Sequence, residues 1–450
     1  MNAERSTITF TGARVVDPAS GRDEVADVIV SGDRIIAVGN GSDGLRVDAH
    51  GLVLTPGFVD LHVHLRQPGR EDAETVASGT AAAAAGGYTA VCPMANTDPV
   101  TDHAGVVEQV LRLAREAGHA DVYPVGAITR GLGGEELAEM GAMAAHGVRC
   151  FSDDGVPVRS ARIMRRALTY ARTWDAIICN HAEEPDLTEG AQMHEGVLSS
   201  VLGLGGWPRE AEEVMVSRDL ILAHGLGARL HVPHVSTAGT VELIRQAKAR
   251  GTRVTAEAAP HHFSLTDDVV RGYDPVYKVN PPLRTKADVL AVREGLADGT
   301  IDAIATDHAP HPPEQKEQEW AQAPPGMLGL ETALAITLTE LVGQDDGTSP
   351  SPGAAGDRSG DGALSLSQAV AALSTNPARS RGIAGHGGPI EPGAHANLVL
   401  FDPARRWTIQ AAVTQSRSRN TPYAGTQVRG KIVHTLLRGR FTCRDGEVVR

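Results

Sequence analysis

The sequence predicts an α/β protein, a (β/α)8 TIM-like barrel with a small β-sandwich domain built from both chain ends. The barrel is predicted because short apolar runs alternate with longer Ala-, Leu- and Glu-bearing stretches from Thr55 onward. The small domain is predicted because both chain ends contain short strands with Gly and Asp turns instead. In a chain of 450 residues, we therefore expect a barrel at 55–385 and a β-domain formed by 1–54 and 386–450.

The barrel prediction depends on eight runs that are rich in β-branched residues. These predicted strands cover residues 55–64, 88–94, 121–128, 147–152, 176–181, 229–234, 252–258 and 301–307. Helices are predicted between them at 74–85, 104–117, 161–173, 240–249 and 286–297. Eight such units indicate a closed barrel, in which catalytic residues lie at the carboxyl ends of the strands.

The two chain ends are expected to complete one another. Short strands are predicted near 13–17 and 27–39, and again near 397–402 and 430–435. Neither end has enough strands to close a core alone, so we expect the two to pair. Residues 344–362 are rich in Gly, Ser, Pro and Asp, and we expect them to form a mobile surface loop.

Composition excludes several classes of function. A formal net charge of −13, without clusters of Lys and Arg, argues against binding to nucleic acid or to an anionic membrane. The sequence contains no signal-peptide pattern at Met1–Phe10 and no membrane-length apolar run, so we expect a cytoplasmic enzyme. The four cysteines lie far apart without a CxxC pair, which favours buried free thiols over a thiolate zinc site.

His62 and His64, at the end of the first predicted strand, suggest a metal site. Side chains alternate along a strand, so both imidazoles face one side while Val63 packs behind them. The same alternation is expected to place Arg66 on the face of His64. Because a His-x-His pair arises easily by chance, this interpretation needs further ligands at the same rim.

Further candidate ligands follow other predicted strands. Asp153 and Asp154 follow the fourth strand, His181 ends the fifth, His234 ends the sixth and Asp307 ends the eighth. Each alone has an ordinary structural explanation, such as a helix cap or a core histidine, but the whole set at one rim does not. Six N and O ligands are too many for one tetrahedral zinc with an open position. The pattern therefore predicts two divalent metal ions, with zinc preferred and manganese or cobalt left open.

Two nearby residues are predicted to lie outside this ligand set. Cys179 lies one pleat deeper than His181 and is expected in the core. His231 is out of phase with His234, and we expect it either to pack outward or to support a ligand.

These motifs resemble those of the amidohydrolase superfamily and, within it, the type I bacterial dihydroorotases. The resemblance covers nearly the whole chain, and its two most specific motifs are Asp60–Arg66 (DLHVHLR) and Ala305–His311 (ATDHAPH), the second with Lys316 following. Shorter motifs support it at 86–99, 151–155, 180–183, 231–237 and 279–284.

The resemblance implies a role for each site residue. It implies that His62, His64, Asp154 and Asp307 hold one metal ion, and that Asp154, His181 and His234 hold the other. Asp154 would bridge the two ions, Asp153 would point away, and Asp307 would be the catalytic residue that moves the proton. The implied substrate contacts are His64, Arg66, Asn96, Asn280, His311, Pro325 and Gly326.

The implied activity is reversible hydrolysis of (S)-dihydroorotate to N-carbamoyl-L-aspartate, the third step of de novo pyrimidine biosynthesis. Arg66 would hold the substrate carboxylate in a bidentate fork. Because a protonated Asp307 would assist cyclisation, we expect low pH to favour ring closure and high pH to favour ring opening.

Two other functions are compatible with parts of this pattern. The first is a hydantoinase- or allantoinase-like activity, whose enzymes generally bridge their metals with a carboxylated lysine after the fourth strand. The first lysine here is Lys248, so Asp154 must take that place. The second is a catalytically silent scaffold for aspartate carbamoyltransferase, but such relatives typically lose metal ligands and all six are present here. A homodimer and an association with aspartate carbamoyltransferase are both compatible with the enzyme.

Overall fold

The computed structural model describes residues 7–41, 43–343 and 363–449. The predicted loop at 344–362 lies outside the described residues. In chain order the strands are β1 (Thr7–Asp17), β2 (Arg22–Ser31), β3 (Arg34–Gly39), β4 (Leu45–Asp48), β5 (Val53–Pro56), β6 (Phe58–Val63), β7 (Tyr88–Pro93), β8 (Asp121–Val122), β9 (Cys150–Phe151), β10 (Ile177–Cys179), β11 (Met193–His194), β12 (Gly206–Trp207), β13 (Arg229–Val232), β14 (Val254–Ala258), β15 (Ala303–Ile304), β16 (Leu398–Thr408), β17 (Gln427–Leu437), β18 (Arg440–Arg444) and β19 (Glu447–Val448).

The helices lie mainly between the barrel strands and after the last of them. In chain order they are α1 (Val76–Ala85), α2 (Ala104–Ala117), α3 (Met140–Ala145), α4 (Ala161–Ala171), α5 (Pro185–Thr188), α6 (Val197–Leu202), α7 (Glu210–Leu226), α8 (Ala238–Ala249), α9 (Pro260–Ser264), α10 (Lys286–Asp298), α11 (Pro313–Lys316), α12 (Ala333–Glu340), α13 (Leu366–Val370) and α14 (Asn376–Arg381). None of the helices in the described part of the chain combines the length and hydropathy that a membrane span requires.

Strands from both chain ends form one nine-stranded sheet. Its order is β19-β18-β17-β16-β5-β1-β2-β3, with β4 paired to β1. The two ends meet where β16 runs antiparallel to β5. Apolar side chains from both ends, including Phe10, Leu54, Leu400 and Leu436, pack into a common core. This pairing agrees with the prediction from the sequence that neither end closes a core alone.

The barrel consists of eight parallel strands in the order β6, β7, β8, β9, β10, β13, β14 and β15. Two parallel backbone bridges complete the ring, one between Gly126 and Phe151 and one between Val63 and His308. The prediction of eight barrel strands is therefore confirmed. Each strand is shorter than predicted, and β9, β14 and β15 begin later than predicted. Most strands also end early because the chain turns into the rim, and at His234 and Asp307 it adopts positive φ values of 31° and 48°.

The first predicted strand, 55–64, is in fact two strands. β5 belongs to the nine-stranded sheet and β6 to the barrel. The chain changes partner at Gly57, whose N–H donates to Asn397, whereas the next N–H, of Phe58, donates to Gly87. This single position therefore joins the small sheet to the barrel.

All five predicted helices are present, as α1, α2, α4, α8 and α10. Ser160 and Thr237 cap α4 and α8 by accepting a backbone N–H, which fits their preference for the N-cap position. The 17-residue helix α7 was not predicted. Its buried face contains Glu212 and Asp219, and these acidic residues interrupt the apolar periodicity that indicates a helix.

Candidate active site

Four histidines and two aspartates meet at the carboxyl end of the barrel. His62 lies near the end of β6, and the other five follow strands β6, β9, β10, β13 and β15 within a few residues. None of the six is more than 6% exposed. The structure thus brings together the predicted ligands, which are His62, His64, Asp154, His181, His234 and Asp307.

Asp154 lies at the centre of this cluster. Its Oδ1 atom is 3.3 Å from His62 Nε2, 3.7 Å from His181 Nδ1 and 3.8 Å from His234 Nε2. Its Oδ2 atom is 3.5 Å from His64 Nε2. Asp154 therefore belongs to two groups of side chains, one with His62 and His64 and one with His181 and His234, whose ligand atoms lie within 4.8 Å of one another.

Asp307 contacts both histidines of the first group. Its Oδ1 atom lies 3.3 Å from His64 Nε2 and 3.5 Å from His62 Nε2. In the second group, His181 Nδ1 and His234 Nε2 lie 3.0 Å apart. Carboxylate oxygens and imidazole nitrogens thus lie close together in two groups that share Asp154.

Three of the four histidines are oriented by an acceptor on the far side of the ring. Metal-binding histidines usually show this arrangement, because the acceptor fixes the proton on one nitrogen and frees the other. The pairs are His62 Nδ1 with Glu257 Oε1 (2.9 Å), His64 Nδ1 with Asn96 Oδ1 (3.0 Å) and His181 Nε2 with Glu183 Oε2 (3.1 Å). Each pair leaves the other ring nitrogen directed toward Asp154, where it can bind a metal ion once it carries no proton.

Sequence reasoning assigned no role to Glu257 or Glu183. Glu257 lies in β14, the seventh barrel strand, and accepts a second hydrogen bond of 2.9 Å from His231 Nε2. His231 is 1% exposed, so the expectation that it packs outward is wrong and the expectation that it supports a ligand holds. The sequence did contain a signal for Glu257. Among the predicted strands from the fifth to the eighth, only the seventh had no candidate metal ligand at its carboxyl end.

The residues fit a divalent metal ion. His62 Nε2 is buried and has no hydrogen-bond partner among the described residues, an arrangement that proteins avoid unless another group satisfies the atom. Neutral imidazole and carboxylate are ligands for zinc and related ions. The buried His and Asp groups therefore suit divalent metal binding.

The electrostatics of the cluster agree with this interpretation. Burial favours the neutral acid, but the charges and hydrogen bonds of His62, His181 and His234 outweigh it and lower the pKa of Asp154 well below its usual value. Burial opposes charge on His181 too, yet Asp154 and Glu183 raise the pKa of this histidine to about 10. The carboxylates are ionised, and metal binding would release protons from the histidines.

A cavity of about 230 Å³ opens onto this cluster. Its size and its convergent polar groups suit a small, polar ligand. All seven predicted substrate contacts line it, namely His64, Arg66, Asn96, Asn280, His311, Pro325 and Gly326. Within the part of the chain that the structure describes, Asn280 Oδ1 and His311 Nδ1 are buried without a hydrogen-bond partner, so both can serve as acceptors.

Arg66 reaches the cavity by a route that the sequence did not predict. Because β6 ends at Val63, strand alternation does not carry Arg66 onto the face of His64, and that expectation is wrong. Instead Arg66 has a left-handed backbone, with φ 58°. Its Nε donates to the carbonyl of Pro310 over 3.1 Å, and its Nη2 lies 3.4 Å from His311 Nε2. The guanidinium is thereby held at the cavity wall.

Two further predictions concern neighbours of the ligands. Asp153 points away from the cluster, as predicted, and accepts the N–H groups of Ile128 and Thr129. All four cysteines are free and buried, and Cys179 lies in the core as expected.

Comparisons with known proteins agree with this site. The family described as dihydro-orotase-like matches residues 51–240. A dihydroorotase of Streptomyces coelicolor is 54% identical over 94% of this chain and 96% of its own, and one of Leifsonia xyli subsp. xyli is 50% identical over 98% and 97%. Among solved structures, an L-hydantoinase (dihydropyrimidinase) from Arthrobacter aurescens superposes with a TM-score of 0.85 at 25% identity, over 99% of this chain and 98% of that one.

The barrel, together with the His and Asp side chains at its rim, defines a member of the amidohydrolase superfamily. Sequence identities of 54% and 50% to dihydroorotases, over nearly the full length, narrow the assignment from this superfamily to one family. The chain belongs to the dihydroorotase family.

Proposed function

We propose that the chain is a dihydroorotase, a cyclic amide hydrolase that converts (S)-dihydroorotate reversibly to N-carbamoyl-L-aspartate. One observation carries this proposal. A single cavity of about 230 Å³ has the guanidinium of Arg66 on its wall and the His and Asp cluster at its base. Dihydroorotate has a carboxylate that needs a cation and a ring amide that needs the cluster, and both needs are met in this cavity.

Two divalent metal ions per chain, preferably zinc, would complete the site. His62, His64, Asp154 and Asp307 would hold one, and Asp154, His181 and His234 would hold the other. When bound, such ions lower the pKa of water and polarise a carbonyl group. The short contacts of Asp154 to the four histidines support its role as the shared ligand.

The chain itself orients the substrate and moves the proton. Arg66 would bind the carboxylate, while Asn280 and His311 offer acceptors to ring N–H groups. Burial opposes ionisation of Asp307, but His62, His64 and His234 outweigh it and lower the pKa of its carboxyl group. Asp307 is therefore a carboxylate that can accept a proton from the attacking water.

Hydrolysis adds one water molecule across the ring C–N bond. An O–C bond forms between water and the ring carbonyl, the C–N bond breaks, and Asp307 delivers the proton to the departing nitrogen. Ring opening creates a second ionised carboxylate and releases a proton at neutral pH. Low pH therefore favours ring closure and high pH favours ring opening.

The other candidate functions receive less support. Hydantoinases share the fold at 25% identity or less, and no lysine precedes Lys248 to form a carboxylated bridge. A silent scaffold has no need of six converging ligands. A small-molecule substrate fits the cavity, whereas a homodimer, an association with aspartate carbamoyltransferase and a cytoplasmic location stay predictions.

Turnover of carbamoyl aspartate, hydantoin and allantoin by the same preparation tests the proposal. We expect cyclisation of carbamoyl aspartate to dominate and to be lost in Asp307→Asn. Metal analysis without chelator should find close to two equivalents per chain. Faster turnover of hydantoin would favour the rival enzyme, and protein without metal or activity would favour the scaffold.

A further inference from the structure

One wall of the cavity is formed by the segment Trp320–Gly326, which we call the rim segment. Pro324, Pro325 and Gly326 of this segment line the cavity. Lys278 donates from Nζ to the carbonyls of Trp320 (2.7 Å) and Ala321 (3.2 Å). The beginning of the rim segment is therefore held by a lysine side chain from the loop before α10.

Lys316, at the end of α11, holds the other end of the rim segment. Its Nζ donates to the carbonyls of Pro324 (2.9 Å), Gly326 (3.2 Å) and Lys278 (3.3 Å). The residue is only 7% exposed, and in the described part of the chain no carboxylate forms a salt bridge with it. A buried ammonium group is costly unless its protons are bonded, and here the three carbonyls satisfy all three donors.

The rim segment is in turn tied to a predicted substrate contact. His311 Nε2 donates to the carbonyl of Pro325 over 2.9 Å. Gly326 has φ 141°, and a Cβ atom there would lie 2.8 Å from His311 Nε2. Because the packing leaves no room for a side chain, a displacement of Gly326 would be passed on to His311.

We propose that Lys316 is a positioning residue that fixes the rim segment against the substrate, and that its positive charge controls substrate affinity. This inference rests on the proposed function for its effect on catalysis. The proposed effect of Lys316 on the rigidity of the rim segment does not depend on that function.

The charge on Lys316 should change near neutral pH. Burial and the neighbouring charge of Lys278 lower the pKa of Lys316 to about 7, and Asp274 opposes this shift. The third titratable group that faces Lys316 is His311, and burial together with Arg66 and Lys316 lowers the pKa of that histidine to about 2. His311 therefore stays neutral, while Lys316 is charged below about pH 7 and loses its charge above it. The substrate carboxylates are ionised throughout this range.

The test compares the metal-loaded wild type with Lys316→Met and with Lys286→Met, an exposed lysine at the start of α10. We expect Lys316→Met to raise KM for carbamoyl aspartate about tenfold near pH 6, with kcat changed less than about threefold. The ratio of the two KM values should fall to about threefold or less near pH 9, where neutral wild-type Lys316 keeps only two of its three N–H donors. Lys286→Met should match the wild type at both pH values.

A second measurement does not depend on turnover. Hydrogen exchange at the backbone amides of 321–323 and 326–328 should be about tenfold faster in Lys316→Met than in the wild type near pH 6. Unchanged exchange, or a loss confined to kcat, would overturn the proposal. If Lys316→Met does not fold, a wild-type KM and wild-type rim-segment protection factors, corrected for the intrinsic pH dependence of exchange, that both stay flat between about pH 6 and pH 9 would overturn it instead. If the wild type fails to cyclise carbamoyl aspartate, the proposed function fails while the exchange comparison still decides the role of Lys316.

Discussion

Replacement of Glu257 by Gln should weaken metal binding without removing the site. Glu257 is 1% exposed and accepts hydrogen bonds of 2.9 Å from both His62 Nδ1 and His231 Nε2. Gln has the same shape, and its carbonyl oxygen can still accept from His62. Its amide N–H then needs an acceptor, which His231 Nε2 provides if its proton moves to Nδ1, 2.8 Å from Thr255 Oγ1. The geometry of the histidines therefore survives the substitution.

What the Glu257→Gln substitution removes is the negative charge of the side chain. Burial opposes this charge, but His231 and His62 outweigh it and lower the pKa of Glu257, so the wild-type carboxylate is ionised. A hydrogen bond to a charged group contributes about 1 to 1.5 kcal/mol more than one between neutral groups. For the bond to His62 this corresponds to about tenfold weaker metal binding, at the lower end of the range for such outer-sphere partners.

Competition with a chelator of known zinc affinity, at one fixed pH, measures this change directly. Glu294→Gln, in an exposed position of α10, is the matched control and should bind metal as the wild type does. Glu257→Ala, which removes the acceptor altogether, should weaken binding further, to about 100-fold. Metal affinity of Glu257→Gln within twofold of the wild type, or no binding at all, would refute the reasoning.

Three further predictions concern the site and the fold. Asp307→Asn should lower kcat about 1,000-fold, because the amide cannot carry the proton between water and ring nitrogen; steady-state assays in both directions measure this. Arg66→Gln should raise KM for carbamoyl aspartate about 100-fold with a smaller change in kcat, because the carboxylate loses its cation. Asp121→Asn should destabilise the fold by about 1 kcal/mol in urea unfolding near pH 7, because Asp121 binds His386 at 3.0 Å and also binds Arg438.

Metal content must be checked in Asp307→Asn, and wild-type kcat with full metal would exclude this aspartate as the proton carrier. An unchanged KM in Arg66→Gln would leave the carboxylate without its assigned partner. For Asp121, His386 and Arg438 outweigh the effect of burial and lower the pKa of the carboxyl group. The contribution of Asp121 to the free energy of unfolding is therefore present above about pH 4 and declines below it. A destabilisation that is equal near pH 3 and pH 7 would contradict that origin.

The sequence was sufficient to predict the barrel and the six side chains at its rim. The positions and ends of the strands can be read from local stretches of sequence. In a closed barrel the carboxyl ends of all strands lie on one face, so residues that follow neighbouring strands come close together there. His181 and His234, for example, are 53 positions apart yet 3.0 Å from each other, because β10 and β13 are neighbours. Nothing beyond the predicted strand order was needed to bring them together.

What could not be predicted depends on backbone that has no periodic pattern. The left-handed turn at Arg66 and the rim segment are held by side chains that bind carbonyl groups, and carbonyls are the same in every residue. Lys316 and Lys278 are 38 positions apart, and neither belongs to a strand or to a polar cluster. A lysine that binds three carbonyls cannot be distinguished in the sequence from a lysine in water.

The adjacent aspartates Asp153 and Asp154 illustrate the same limit within the site. Both are buried carboxyl groups after the same strand, yet their surroundings differ. Burial, opposed in part by hydrogen bonds from Thr129 and Ile128, raises the pKa of Asp153 to about 6. Asp154 faces histidines, which lower its pKa and keep it ionised. Because the two residues are chemically identical, only the groups around each side chain give them different roles. Asp153 ties the fourth strand to the preceding loop, whereas Asp154 faces the metal site.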